Sequence, residues 1–176
     1  MNHTDKIIKL VTAALMAALT CVVTMFLPIK IPNTQGGYIH PGDAFVLLSG
    51  IILGPLYGGL AAGVGSLMAD IFVGALVYAP ATLIIKTLAA IAGVVSYRYI
   101  RKGSVILAGI FVGITVTVGY YIFDVILTGT LAAGFANIPF NLIQNVMGII
   151  LASLLLPLIK KIPQIRVMMG KQSKPY

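Results

Sequence analysis

Apolar residues run along this chain in long, nearly unbroken stretches, and the polar positions fall mostly where those stretches end. Residues Lys6 to Leu27 form the first run, and the continuous pattern reads as helix rather than as the period-two alternation of a strand. A segment rich in turn formers follows, from Pro28 to Asp43. Pro28, Pro32, Pro41 and the Gly36-Gly37 pair prevent helix there, and a loop of about fifteen residues in a compact protein usually serves as a lid or binding loop. Ala44–Leu53 forms a short second helix with Asp43 as its expected N-cap. The Gly54-Pro55-Leu-Tyr-Gly58 break then leads to helix 3, from about Gly58 to Val77. Helix 4 is expected over Pro80–Tyr97, helix 5 over Ser104 to about Leu127, and helix 6 over about Ile138–Lys160, with a basic tail over about 160–176.

Composition turns these helices into membrane spans. Of 176 residues, 59% are hydrophobic and 9% charged, with a mean hydropathy of +1.04. Soluble domains carry about 25% charged residues, and a span needs about 20 apolar residues, so the chain has room for five or six helices and no soluble domain. The expected class is an all-α membrane protein forming a single domain over residues 1–176. The first run exceeds a signal-peptide core and lacks a clear cleavage site, so it is expected to be retained. Residues 44–77 hold either two spans or one kinked span, and charge decides between them. With six helices Lys6, Lys9, the Arg98/Arg101/Lys102 turn and the tail cations Lys160, Lys161, Arg166, Lys171 and Lys174 share one side, leaving Lys30 opposite. The positive-inside rule therefore gives six transmembrane helices, both termini cytoplasmic, and a long extracellular loop between helices 1 and 2. The net charge of +8 is then a topology signal rather than a nucleic-acid footprint.

Depth along those helices sorts the polar side chains. Lys86 lies about two turns inside helix 4, whose first turn holds Pro80, and a charge at membrane depth costs roughly 2.5–3.5 kcal/mol on insertion scales and marks a site. Asp70 on helix 3 and Asp124 near the end of helix 5 fall in the same outer half. On helix 6, Asn137, Asn141 and Asn145 recur every fourth residue with Gln144 beside them, an amide stripe. The inner halves of helices 4, 5 and 6 carry almost nothing polar beyond serine and glycine. A pore or proton relay should be polar through its depth; this pattern instead describes a cup open to the outside. Amides that donate and accept, one cation, carboxylates and the nearby Tyr78, Tyr120 and Tyr121 suit a small polar heterocycle, with Tyr38, His40 and the rest of the loop to Asp43 closing over it. Asp70 and Lys86 are either a structural pair or two members of the site; Asn137 either caps helix 6 or meets ligand; Asp124 is either a site residue or a solvated helix end.

Other features exclude activities. Cys21 is the single cysteine, so no internal disulfide or CxxC site exists. Glycine-rich phosphate loops, HExxH and Ser/His/Asp sets are missing, which points away from an enzyme and from any catalytic or metal site. The chain has no visible means of using ATP alone. Small-residue pairs at Gly59/Gly63 and Gly109/Gly113 read as helix packing. On helix 1, Ala13/Ala17 and Ala14/Ala18 either pack internally or offer a flat face to another subunit.

Taken together, these residues resemble the S components, the substrate-binding membrane subunits of energy-coupling factor (ECF) vitamin transporters. The resemblance covers essentially the whole length and rests on the Ala13/Ala17 and Ala14/Ala18 pairs, the Pro-Gly-Asp43 start of helix 2 and the Gly54-Pro55-Leu-Tyr-Gly58 turn. It implies capture of a vitamin at the outer face of a bacterial plasma membrane. Docking would run through Ala13, Ala14, Ala17 and Ala18 onto a membrane coupling subunit with two ATPases, which use the ATP; the chain itself needs no cofactor. Toppling within the bilayer would then release substrate inside. It also implies ligand contacts at Tyr38 to His40, Lys86, Tyr121 or Asp124, and Asn141 with Asn145; with Tyr78 and Gln144 these make up the expected site. The lack of tryptophan makes a large flavin or pterin ring less attractive than pyridoxine or hydroxymethylpyrimidine, with riboflavin and pantothenate remaining open. The competing class is a self-contained secondary transporter or channel, which would need paired repeats or polar residues through the inner leaflet.

Overall fold

The structure, a computed structural model, describes residues 3–30, 38–100 and 103–172. Residues 31–37 of the long loop, Arg101 and Lys102 of the basic turn, and Lys174 of the tail lie outside the described residues, as do the side chains of Lys30 and Lys171. Seven α-helices make up almost all of the rest: α1 (His3–Phe26), α2 (Asp43–Leu53), α3 (Pro55–Val73), α4 (Ala79–Val95), α5 (Val105–Thr128), α6 (Leu131–Ile159) and α7 (Pro163–Gln172). Five of them, α1, α3, α4 with the wide turn after it, α5 and α6, are long and apolar enough to cross a membrane.

Helix α2 is the short one, and it is the post around which the others stand. At about 1.5 Å per residue its eleven residues cover only about half of a hydrocarbon layer ~30 Å thick. Apart from Phe45, every one of its residues is buried, as expected of a helix that is apolar on all sides. It packs against α1, α3, α4 and α6, and Leu47, Leu48, Ile51 and Ile52 form the middle of the core. The outer helices show the reverse pattern. On α5, Ile106, Ile110, Ile114, Val118, Ile122 and Ile126 are all exposed, and this fourth-residue ridge is a lipid-facing stripe.

Glycines set the close approaches. A Cβ at Gly50 would meet the Ala90 carbonyl oxygen at 2.5 Å, so α2 and α4 touch backbone to backbone. Gly63 sits against Thr87 and Leu83 of α4, while Gly109 and Gly113 receive Ile149 and Asn145 of α6, which makes both expected small-residue pairs packing surfaces. Gly54, at φ 84°, turns the chain from α2 directly into α3, with Pro55 in the first turn of the new helix.

Four boundaries differ from the sequence reading. Helix α6 starts at Leu131 rather than near Ile138 and continues through Pro139 and Pro157; helices in apolar surroundings tolerate proline where neighbours satisfy the freed backbone. Helix α3 ends at Val73, where Gly74 adopts φ 82° and closes the helix with a left-handed cap, so Ala75–Val77 belong to the turn. Asp43 is not the cap of α2: Gly42 holds that position, without a side-chain cap bond, and Asp43 spends its carboxylate elsewhere. Part of the basic tail is helical as α7, and its Ile165, Met168 and Met169 pack onto the core, against α2.

Candidate functional site

One end of the bundle collects the polar groups. Here α1 and α3 end, α2 and α4 begin, α5 ends and α6 begins, so successive helices running in opposite directions bring distant residues to one level. The loop joins them through a minimal antiparallel hairpin, β1 (Ile29–Lys30) with β2 (Tyr38–Ile39), in which Ile29 pairs with Ile39. This hairpin delivers Tyr38 and His40 over the helix ends. Between them lies a half-enclosed cavity that spans about 450 Å³ when its open mouth is included. Its lining comes from the loop (Tyr38, His40), α3 (Asp70), the start of α4 (Tyr78, Thr82), α5 (Tyr120, Asp124) and α6 (Asn137, Asn141, Gln144).

The floor is a connected network. Lys86, wholly buried, pairs with Asp43, which is buried too. The other carboxylate oxygen of Asp43 accepts the Gln144 amide at 2.8 Å. Gln144 Oε1 in turn accepts the His40 backbone N–H at 3.1 Å. One relay thereby ties α4, α2, α6 and the loop together, as a buried charge pair requires if its desolvation is to be offset. Gly148 makes it possible: a Cβ there would stand 3.1 Å from Asp43 Cβ, so α6 can lie flush against the start of α2.

His40 is fixed by the same end of the loop. Its Nδ1 accepts the Gly42 backbone N–H at 3.1 Å and lies 3.3 Å from Thr24 Oγ1 of α1. In the neutral ring this leaves the proton on Nε2. Burial drives the imidazole far below its ordinary value, to about 3, and the nearby Lys86 charge acts the same way. Tyr38 is shifted up, first by burial and then by Asp70, so it stays a neutral hydroxyl.

The walls are built differently. Tyr38 donates to Asp70 Oδ1 at 2.5 Å. Tyr78 donates to Asp124 Oδ1 at 2.9 Å, and the Asn137 amide donates to Asp124 Oδ2 at 2.7 Å. Thr82 and Tyr120 share a hydroxyl bond at 2.8 Å. Asp70 Oδ2 and Asn137 Oδ1 remain, both buried and without a hydrogen-bond partner. Rings of Tyr78 and Tyr120 lie 6.2 Å apart, and those of Tyr38 and His40 5.3 Å apart, giving the cavity aromatic faces beside amide edges.

Six of the expected site residues therefore line the cavity: Tyr38, His40, Tyr78, Asp124, Asn141 and Gln144. Three do not. Lys86 lies beneath, engaged with Asp43, its ammonium 5.5 Å from the centre of the Tyr120 ring; Asp70 is not its partner in an ion pair. Tyr121 turns away to pack edge-on against Phe135 and over Gly134. Asn145 faces Gly113 of α5. Thr82 is the lining residue that the sequence reading passed over; its place four residues after Tyr78 and four before Lys86 was the available signal. Asn137 sits inside α6, so it is not a cap, and Asp124, 2% exposed, is not a solvated helix end.

At the opposite end the polar contacts are of another kind. Lys9 lies 4.5 Å from the Tyr57 ring centre and Lys160 donates to Tyr97 OH at 3.1 Å, cations resting on aromatic rings at helix ends. On α1 the alanines divide. Ala13 and Ala17 pack inward, the Ala17 carbonyl oxygen lying against Gly65 of α3, whereas Ala14 and Ala18 are exposed.

Comparison with known proteins agrees with this architecture. A family model described as "ECF-type riboflavin transporter, S component" matches residues 4–161. The chain is 37% identical over 141 residues to the Pyrococcus woesei "Uncharacterized protein in gap 3'region", a match covering 80% of this chain and 93% of that protein. Among solved structures, the S component of a bacterial ECF transporter superposes with a TM-score of 0.66 at 23% identity, over 89% of this chain and 97% of the other; that likeness concerns the fold.

Proposed function

We propose that this chain, which belongs to the family of ECF-type riboflavin transporter S components, captures riboflavin in the cavity between the loop and α3–α6. Its family and fold are those of a transporter subunit, not of an enzyme. Proteins of this kind capture a vitamin for an ECF transporter, and the apolar helices make it a multi-pass membrane protein. The single observation that carries the reading is the placement of the polar groups: hydroxyls, carboxylates and amides from the loop, α3, α4, α5 and α6 line one cavity at one end of the bundle. Tyr78 and Tyr120 offer aromatic rings, Asn141 an amide, and the loop adds Tyr38 and His40, so a flat ring with a polar periphery fits the wall chemistry.

The same reading sets the orientation. We place the cavity on the extracellular side of the cell membrane and both termini in the cytoplasm, with α2 as a sixth, half-length membrane helix whose inner end is covered by α7. Lys9, Lys160 and Lys161 then lie inside, as the positive-inside rule favours. Ala14 and Ala18 form the flat exposed strip that meets the membrane coupling subunit, while Ala13 and Ala17 serve the fold. That subunit brings two ATPases, and the capture chain topples to release its cargo.

A second reading keeps the site and changes the vitamin. Tyrosines rather than tryptophans form the cavity walls, which suits the smaller rings of pyridoxine or hydroxymethylpyrimidine. Titration decides: the purified chain in nanodiscs is expected to quench riboflavin fluorescence with one saturable site, and pyridoxine, hydroxymethylpyrimidine and pantothenate are not expected to compete. Competition by one of the small rings moves the assignment to it. ATP-independent uptake by the chain alone in liposomes would sink the S-component mechanism in favour of a self-contained transporter.

A further inference from the structure

Asp70 is the wall residue whose chemistry is unfinished. It is 4% exposed and lines the cavity, with Oδ1 taken by Tyr38 and Oδ2 left without a hydrogen bond. Thr82, bonded to Tyr120, also lies beside this carboxylate and can turn its hydroxyl toward it, which leaves further acceptor capacity on Asp70 open. Asn137 presents a second unpartnered acceptor, Oδ1, on the α6 side of the same cavity, because its amide nitrogen is spent on Asp124. Buried acceptors are nearly always paired, and leaving one unpaired is costly, more so where it is charged. Two such acceptors on residues that line one cavity are candidates for donors that a ligand brings.

Charge narrows the ligand further. The chain holds only four acidic residues, and two, Asp70 and Asp124, line the cavity. No lysine or arginine is among its described lining residues, since Lys86 is committed to Asp43 below. A site of this kind attracts donors and repels anions. We propose that Asp70 is a ligand-recognising residue: its free oxygen and Asn137 Oδ1 accept a pair of hydroxyl or N–H donors from an uncharged or cationic vitamin and exclude phosphorylated or carboxylated forms. The inference rests on the vitamin-capture reading and adds to it a specificity residue and a substrate class.

Asp70→Asn separates this role from a structural one. The substitution preserves shape and the acceptor for Tyr38, and replaces the free acceptor with a donor. In the full-length chain in nanodiscs, riboflavin is expected to bind the variant about 10–100-fold more weakly, the range for a hydrogen bond to a charged group. Its 5′-phosphate is expected to bind wild type at least tenfold more weakly than riboflavin does, with that ratio shrinking in the variant. Without ligand, the melting temperature of Asp70→Asn should rise by about 2–4 °C. Unchanged affinity and an unchanged ratio overturn the inference, as does a melting temperature that falls along with affinity. Failure of wild type to bind any vitamin overturns the capture reading with it; binding that ignores Asp70→Asn overturns this inference alone.

Discussion

The floor and the walls of the cavity are made of the same side-chain types and behave oppositely. Beneath it, Asp43, Lys86, Gln144 and the His40 backbone N–H are bonded to one another, and those bonds tie four segments of the chain together. Around it, Asp70 and Asn137 each keep an acceptor unpaired. A carboxylate in a connected network holds the fold; a carboxylate with a free oxygen in a cavity is available to a ligand. The contrast also reassigns Lys86. A lone lysine in an apolar helix reads as a ligand-orienting charge, but here its charge is consumed in holding the start of α2 under the site.

Breaking the floor should have the largest effect. Lys86→Met leaves Asp43 buried and uncompensated, and loss of one member of a buried pair costs about 3–5 kcal/mol. Thermal unfolding in nanodiscs should show this, and Asp43→Asn combined with Lys86→Met should recover most of it; equal melting for wild type and Lys86→Met would return Lys86 to the ligand. Gln144→Leu should come next, since it removes the acceptor of the His40 amide and a donor to Asp43. Hydrogen exchange at the His40 amide is expected to accelerate about 5–100-fold, in line with ~1–3 kcal/mol for an unmade buried bond, while amides of α2 change little.

Acid tests the floor without mutation. His40 is held neutral, with its value moved from 6.5 down to about 3. The unfolded chain then binds the proton first, so the stability is complete above pH 6.5 and declines as pH falls toward 3. Each unit costs up to ~1.4 kcal/mol. His40→Gln should flatten that decline; an unaltered acid profile would mean that other groups set it. The smallest effect on the fold is expected at the far end. Ala14→Trp adds bulk to an exposed position of α1, so stability should stay within about 0.5 kcal/mol and vitamin affinity should be unchanged, while co-purification with the coupling subunit and its ATPases is lost.

Sequence carried the architecture well because apolar run length is a direct readout of bundle helices, and helix direction alone sorted Asp70, Asp124, Asn137 and Asn141 to one end. Side-chain direction was less legible. At about 100° per residue, Asn141 and Gln144 lie within about 40° of Asn137 around α6, but Asn145 is about 80° off and turns to α5; Tyr121 departs from Tyr120 by the same geometry. Fourth-residue spacing looked like a stripe and drifted out of the cavity. The Lys86 partner was missed because Asp43 stood at a helix start, where a capping role accounted for it locally. The start of α6 differs by about two turns, because Leu131–Asn137 continues the helix ahead of Pro139, which a helix among apolar neighbours tolerates.

Native mass spectrometry of the chain, released from nanodiscs after incubation with riboflavin, tests the central claim most directly. The account predicts one riboflavin per chain, lost when Asn141→Trp fills the cavity between Tyr120 and Gln144 and kept in Ala14→Trp. Riboflavin retained at full occupancy by Asn141→Trp, or absent from the wild-type chain, would contradict it.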